Sequence, residues 1–80
     1  MKVTSDIIRH EFIGADGKIA KSSHTRYVGL SGKVIDETKN TFMILHKGKP
    51  KQVIKNMAVF HFKFADGTVV EIDGRLLVGR

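Results

Sequence analysis

From Gly14 onward, turn signals interrupt the chain at short intervals: Asp16-Gly17, Gly29, Ser31-Gly32, Lys39-Asn40, Lys47-Gly48, Asp66-Gly67 and Asp73-Gly74. Short β-rich runs lie between them. Strands of this kind, joined by glycine-bearing turns, build an antiparallel sandwich or barrel. The runs predict strands over 17–22, 30–37, 41–46, 51–55, 58–65 and 68–73, with a last extended piece over 75–79.

The clearest run is Val59-Phe60-His61-Phe62-Lys63-Phe64. Phe60, Phe62 and Phe64 fall on one face, and Val59, His61 and Lys63 on the other. This is the period of a half-buried strand, with the three rings at the centre of the core. Asp66-Gly67 reads as a tight hairpin into Thr68–Ile72. The single proline, Pro50, stands at a strand entrance, where a missing N–H does no harm. Before the strands, Ser5 and Asp6 can cap a short helix near residues 4–12, with Ile7, Ile8, Phe12 and Ile13 following as its apolar residues and Gly14 as its stop.

Eighty residues make one domain, spanning 1–80. A chain this short buries only about 60–65% of its unfolded surface, which leaves no room for a deep pocket. Its stability is expected at roughly 4–12 kcal/mol. No apolar run has the length of a membrane span, and the first six residues lack the apolar core of a signal peptide. The absence of cysteine excludes disulfides and thiolate metal sites. A cytoplasmic location is expected.

Charge is the unusual quantity. Fourteen Lys and Arg against eight Asp and Glu leave a formal charge of +6. Such a surplus on a small surface attracts polyanions, nucleic acid first and an anionic membrane second. The cations group as Lys18/Lys21/His24/Arg26, Lys33/Lys39, Lys47/Lys49/Lys51/Lys55 and Arg75/Arg80. Loops of a small barrel gather at its ends, so these groups predict positive rims that position phosphates. Residues 47–51 read as the most flexible and least specific of them. Only Tyr27, beside Arg26, is placed to stack on a base, so recognition of RNA shape and backbone is expected over base reading.

Catalytic constellations are missing. His10, His24, His46 and His61 show no metal-binding spacing, and no cysteine assists them. Adjacent Asp36 and Glu37 point to opposite strand faces and cannot act on one atom. They read instead as turn anchors that neutralise nearby lysines. The serines lack a nucleophile context, and no glycine-rich loop opens a helix.

The run Gly29-Leu30-Ser31-Gly32-Lys33-Val34-Ile35-Asp36-Glu37-Thr38-Lys39-Asn40-Thr41-Phe42 resembles the signature of the archaeal ribonuclease P protein component 1 family. That family has eukaryotic relatives in ribonucleases P and MRP. The opening Ile8–Gly14, the segment Val59–Phe62 and the ending Val70–Arg80 look like the same family. Members continue past the position of Arg80 with a Pro-Glu-Asp-Arg run and a basic helix. Their first strand is richer in apolar residues than Ala15–Lys18, which predicts a shorter or later first strand here.

The resemblance implies an all-β, Sm-like antiparallel barrel of about six strands with a short N-terminal helix. It also implies a non-catalytic, RNA-binding subunit of the endoribonuclease that removes the 5′ leader from precursor tRNA. Chemistry then belongs to the partner RNA and its magnesium, with no cofactor bound by the protein. The implied partners are the ribonuclease P RNA, precursor tRNA indirectly, and a small zinc-ribbon protein subunit. The chain alone is expected to be a monomer that binds no membrane.

Lys21, His24, Arg26, Lys33, Lys39, Asn40 and Arg75 are the candidate RNA contacts, and Ile7, Ile8 and Phe12 the candidate partner surface. Two of these assignments have competitors. Asn40 also reads as a turn former with positive φ, and the N-terminal apolar residues also read as a plug for the barrel. Two other functions remain open: a ring-forming Sm-like or ribosomal RNA-binding protein, and a protein-interaction barrel.

Overall fold

The computed structural model describes residues 11–79. Six strands follow in order: β1 (Asp16–Ser22), β2 (Ser31–Glu37), β3 (Thr41–His46), β4 (Lys49–Ile54), β5 (Ala58–Lys63) and β6 (Val69–Asp73). All neighbours are antiparallel, in the spatial order β4-β3-β2-β1-β5-β6. The expected all-β, barrel-like architecture is therefore present. The hydrogen-bonded ladder does not close, and β4 and β6 remain its edges. Three 3-10 turns complete the described chain: η1 (Thr25–Tyr27), η2 (Lys55–Met57) and η3 (Gly74–Leu77).

Phe60 and Phe62 turn inward from β5, as their alternation requires, and Phe42 and Ile44 do so from β3. Phe64 lies past the end of β5 and is half-buried against the same cluster. The expected tight hairpin is a loop over 64–68, in which Asp66 Oδ1 accepts from the Thr68 amide at 2.9 Å. Phe12 is wholly buried, with its ring centroid 4.6 Å from Phe62 and 5.7 Å from Phe42. It joins the aromatic core and offers no partner surface, because its apolar ring gains most by leaving water. Ile7, Ile8 and all but Glu11 and Phe12 of the expected helix lie outside the described residues; those two are not helical.

Three further expectations are corrected. β1 begins at Asp16 and is neither late nor short. Residues 47–51 are the hairpin between β3 and β4 plus the start of β4. Lys47 (φ 50°) and Gly48 (φ 78°) form its two-residue turn, and Pro50 lies within an edge strand. Both φ values are positive, as the type I′ turn that matches strand twist demands. Lys47 is the only non-glycine residue with positive φ among those described, so Asn40 does not supply a left-handed turn.

The expected extended piece over 75–79 is instead η3. Asp73 Oδ1 accepts from the Arg75 amide at 3.0 Å and starts the turn, which carries Leu77 into the core. The turn docks closely because residue 74 is glycine. A Cβ there would stand 1.8 Å from the Lys55 carbonyl oxygen.

Lys55 departs furthest from expectation. Grouped with surface lysines by sequence, it is fully buried. Its ammonium lies 2.8 Å from Glu37 Oε2, 2.8 Å from the Thr38 carbonyl, 2.9 Å from the Leu77 carbonyl and 3.3 Å from the Lys39 carbonyl. It also sits 4.9 Å from the Phe42 ring centroid. A buried charge is tolerable only when paired and hydrogen-bonded, and here every ammonium hydrogen has an acceptor.

Glu37 reaches this site because of a bulge. Register between β2 and β3 shifts between Val34 and Asp36. Strict alternation from buried Val34 would point Glu37 outward, but the extra residue reverses the phase. Ile35 is left 40% exposed, and Glu37 pairs opposite buried Phe42.

Removing one partner of such a pair costs about 3–5 kcal/mol, a large share of the roughly 4–12 expected in total. Urea unfolding of Lys55→Met should therefore show a sharply lowered midpoint, and Glu37→Gln a smaller loss in the same direction. The double variant should lose less than the sum of the two, yet stay below wild type, because the Thr38, Lys39 and Leu77 carbonyls have lost their donor. Strict additivity would mean that the two charges do not interact.

Candidate nucleic-acid interface

Ser22 and Ser23 tie the end of β1 to η2. The Ser22 hydroxyl donates to the Met57 carbonyl at 2.6 Å, and the Ser23 amide donates to the same carbonyl at 3.3 Å. Ser22 Oγ also accepts from the His24 amide at 3.0 Å, which sets the chain into η1. His24 Nδ1 then caps η1 by accepting from the Arg26 amide at 3.3 Å. The His24 ring stacks on Tyr27, with centroids 4.6 Å apart. One face of Tyr27 is thus covered by His24, and the ring also packs on the core, which leaves less of it for a base than the sequence suggested.

A second bulge orients Lys21. Ile19 opposes Phe60 while Lys21 opposes Val59, so Ala20 is the extra residue in β1. Alternation from buried Ile19 would aim Lys21 at the core; the bulge returns it to the outer face. There it lines a shallow groove of about 260 Å³ with Ser22, Ser23, Asn56, Met57, Val59, Asp73 and Arg75.

Arg75 enters this groove from η3. Its Nε lies 3.1 Å from both Asp73 carboxylate oxygens, and Nη2 lies 2.7 Å from Oδ2. This fork fixes the guanidinium plane without using Nη1. The Arg75 hydrogen bond holds the Asp73 carboxyl below its ordinary value of 3.8, and Asp73 raises Arg75 in return. On the neighbouring outer face, His61 Nε2 stands 2.7 Å from Glu71 Oε1. That hydrogen bond lowers the Glu71 carboxyl, helped by the charges of His61 and Lys21.

Seven candidate contacts thus take different positions. Lys21 and Arg75 share one groove, and His24 is joined to its wall through Ser22. Arg26 follows in η1 and is exposed. Lys39 and Asn40 form the tip of the β2–β3 turn, where their carbonyls accept from the Gly79 amide (2.7 Å) and the Lys55 amide (2.8 Å). Their side chains are exposed. Lys33 lies on β2 opposite Asp16 and Leu45, and does not line the groove.

Asn56, Ser23 and Met57 were missed. They sit in a 3-10 turn and a loop, where no periodicity marks them. Of the other described histidines, His46 is engaged with Ser31 and His61 with Glu71, and no cluster of metal-ligating side chains occurs among the described residues. No helix among them is long and apolar enough to cross a membrane.

Residues 5–80 match the family model described as "Ribonuclease P/MRP, subunit p29". The ribonuclease P protein component 1 of Methanothermobacter thermautotrophicus is 50% identical over 76 residues, covering 94% of this chain and 82% of that protein. The protein of the same name from Pyrococcus furiosus is 43% identical over 75 residues, covering 94% of this chain and 59% of the relative. A solved structure described as Mth11, a homologue of human RNase P protein Rpp29, superposes with a TM-score of 0.69 at 51% identity, over 90% of this chain and 94% of that one.

Acid should separate wild type from Asp73→Asn. The folded-state value of Asp73 lies below 3.8, so its charge stabilises the fold fully above that pH and ceases to as pH falls through the lower folded value. Thermal melts of the two proteins should differ at neutral pH and converge below pH 3.8. A constant gap across that window would exclude the Arg75 pairing as its source.

The family model covers nearly the whole chain, and the relatives match it over almost all of its length, the Gly29–Phe42 signature region included: the chain belongs to the ribonuclease P/MRP subunit p29 family.

Proposed function

We propose that this chain is an RNA-binding, non-catalytic subunit of ribonuclease P that supports the catalytic RNA in removing the 5′ leader from precursor tRNA. The observation that carries the reading is the meeting of Lys21 and Arg75, from β1 and η3, in one groove of a chain with a +6 charge. Family membership names the assembly. Asp73 preorganises Arg75, and the bulge at Ala20 aims Lys21, so two cations stand ready for phosphate oxygens.

In this reading the hydrolytic chemistry belongs to the RNA and its magnesium. Precursor tRNA is met through the assembled particle, alongside a small zinc-ribbon subunit, in the cytoplasm. The chain alone is a monomer. Edge strand β4 carries Pro50, Lys49 and Lys51, which obstruct strand addition by a second copy. A ring of Sm-like subunits would need such an edge open.

Reconstitution with the catalytic RNA and the other protein subunits at low magnesium should stimulate precursor-tRNA cleavage. The triple variant Lys21→Glu, Arg26→Glu, Arg75→Glu should stimulate less while keeping its circular dichroism spectrum. Its RNA affinity should fall, and the slope of log affinity against log salt should shrink by roughly 0.7–0.9 for each phosphate no longer neutralised. Unchanged affinity and slope would reject these residues as the RNA surface. Light scattering should give the 8.9 kDa monomer; a hexamer or heptamer would favour the ring.

A further inference from the structure

The groove that holds Lys21 and Arg75 is not lined by charge alone. Met57 is 36% exposed in it, beside half-buried Val59. The Asn56 amide and the Ser23 hydroxyl also line it, and neither side chain makes a hydrogen bond among the described residues. A site for backbone phosphates needs only cations. This one adds an apolar patch and open donors and acceptors, on η2, the start of β5 and the residue that follows β1.

A nucleotide outside a duplex has the same mixture: a flat apolar ring, polar ring edges and a charged phosphate. A paired base hides its faces in the stack and cannot use an apolar patch. At about 260 Å³ the groove is also smaller than the roughly 300–1,000 Å³ sites that enclose whole small molecules, which suits one nucleotide unit held at its rim.

We infer that this groove captures a single unpaired nucleotide of the RNA: its phosphate on Lys21 and Arg75, its base against Met57 and Val59, and its base edge within reach of Asn56 and Ser23. The inference rests on the RNA-binding reading and adds that the RNA surface selects a bulged or looped position. The Met57 thioether takes the part that an aromatic side chain plays in other single-strand sites, since sulfur contacts ring systems favourably. Rigidity comes from the two bonds to the Met57 carbonyl, from the Ser22 hydroxyl and the Ser23 amide, which fix η2 against β1.

The test uses two fluorescein-labelled RNA hairpins, one fully paired in its stem and one with a single bulged adenosine. Anisotropy titrations of the full chain should show tighter binding to the bulged hairpin by about two- to tenfold, the range a thioether–ring contact supplies. Asn56→Ala and Met57→Ala, both at exposed positions, should remove that preference and leave the paired hairpin's affinity unchanged. Lys21→Glu should weaken both RNAs together. Equal affinities for the two hairpins in the wild type, or a preference that survives both alanine variants, would overturn the inference while leaving the RNA-binding reading intact. Binding to neither hairpin even at low salt would overturn both.

Discussion

The buried ammonium of Lys55 organises the side of the molecule where its turns meet. It is enclosed by Glu37 and by carbonyls of Thr38, Lys39 and Leu77, so one cation holds the β2–β3 turn, η2 and η3 in register. The ladder leaves β4 and β6 as its open edges, and hydrogen bonding between strands cannot join these segments. Lys55 does so instead. The backbone follows, with the Lys55 amide on Asn40 and the Gly79 amide on Lys39. Gly74 completes the closure by letting η3 approach the Lys55 carbonyl. A small core gains little from apolar burial alone, so a charge whose every hydrogen is satisfied becomes a principal tie.

This explains the residues of the family signature. Glu37 is a counter-ion, Thr38 supplies a carbonyl, and Thr41 closes the turn through its amide and hydroxyl, at 3.1 and 2.6 Å from Thr38 Oγ1. Asp36 accepts from the Glu37 amide at 2.9 Å and stays on the outside. The signature is architecture that builds the Lys55 site. The candidate RNA contacts stand around it: Arg75 on η3, Lys21 on the bulged strand beside η2, and Lys39 and Asn40 on the turn itself. Structural closure and the basic groove thus share two turns, η2 and η3.

Much of this was legible in the chain. Turn signals and β-rich runs marked all six strands to within a few residues, and Phe60 and Phe62 announced the core by their spacing. The lack of catalytic spacing and the charge surplus pointed to a polyanion partner, and the Gly29–Phe42 run pointed to the family. Other features left no readable trace. Lys55 closes a series of lysines at 47, 49, 51 and 55, and composition could not separate the last from the first three. Leu76-Leu77-Val78 reads as readily as a strand as a turn, and the Asp73 cap decides for η3.

What the sequence by itself determined was local: where turns fall, which faces are apolar and how much charge the surface carries. Each of these depends on neighbours along the chain. Tertiary structure decided the phase of two strands and the partners that follow from it. An extra residue at Ile35 turned Glu37 inward to a lysine 18 residues away, and an extra residue at Ala20 turned Lys21 outward to meet Arg75. A bulge reverses every inside–outside assignment after it, and its position is set by the strand across the sheet. For that reason alternation carried past the two bulges misplaces both Glu37 and Lys21, and only the packed sheet decides which is the buried tie and which the exposed contact.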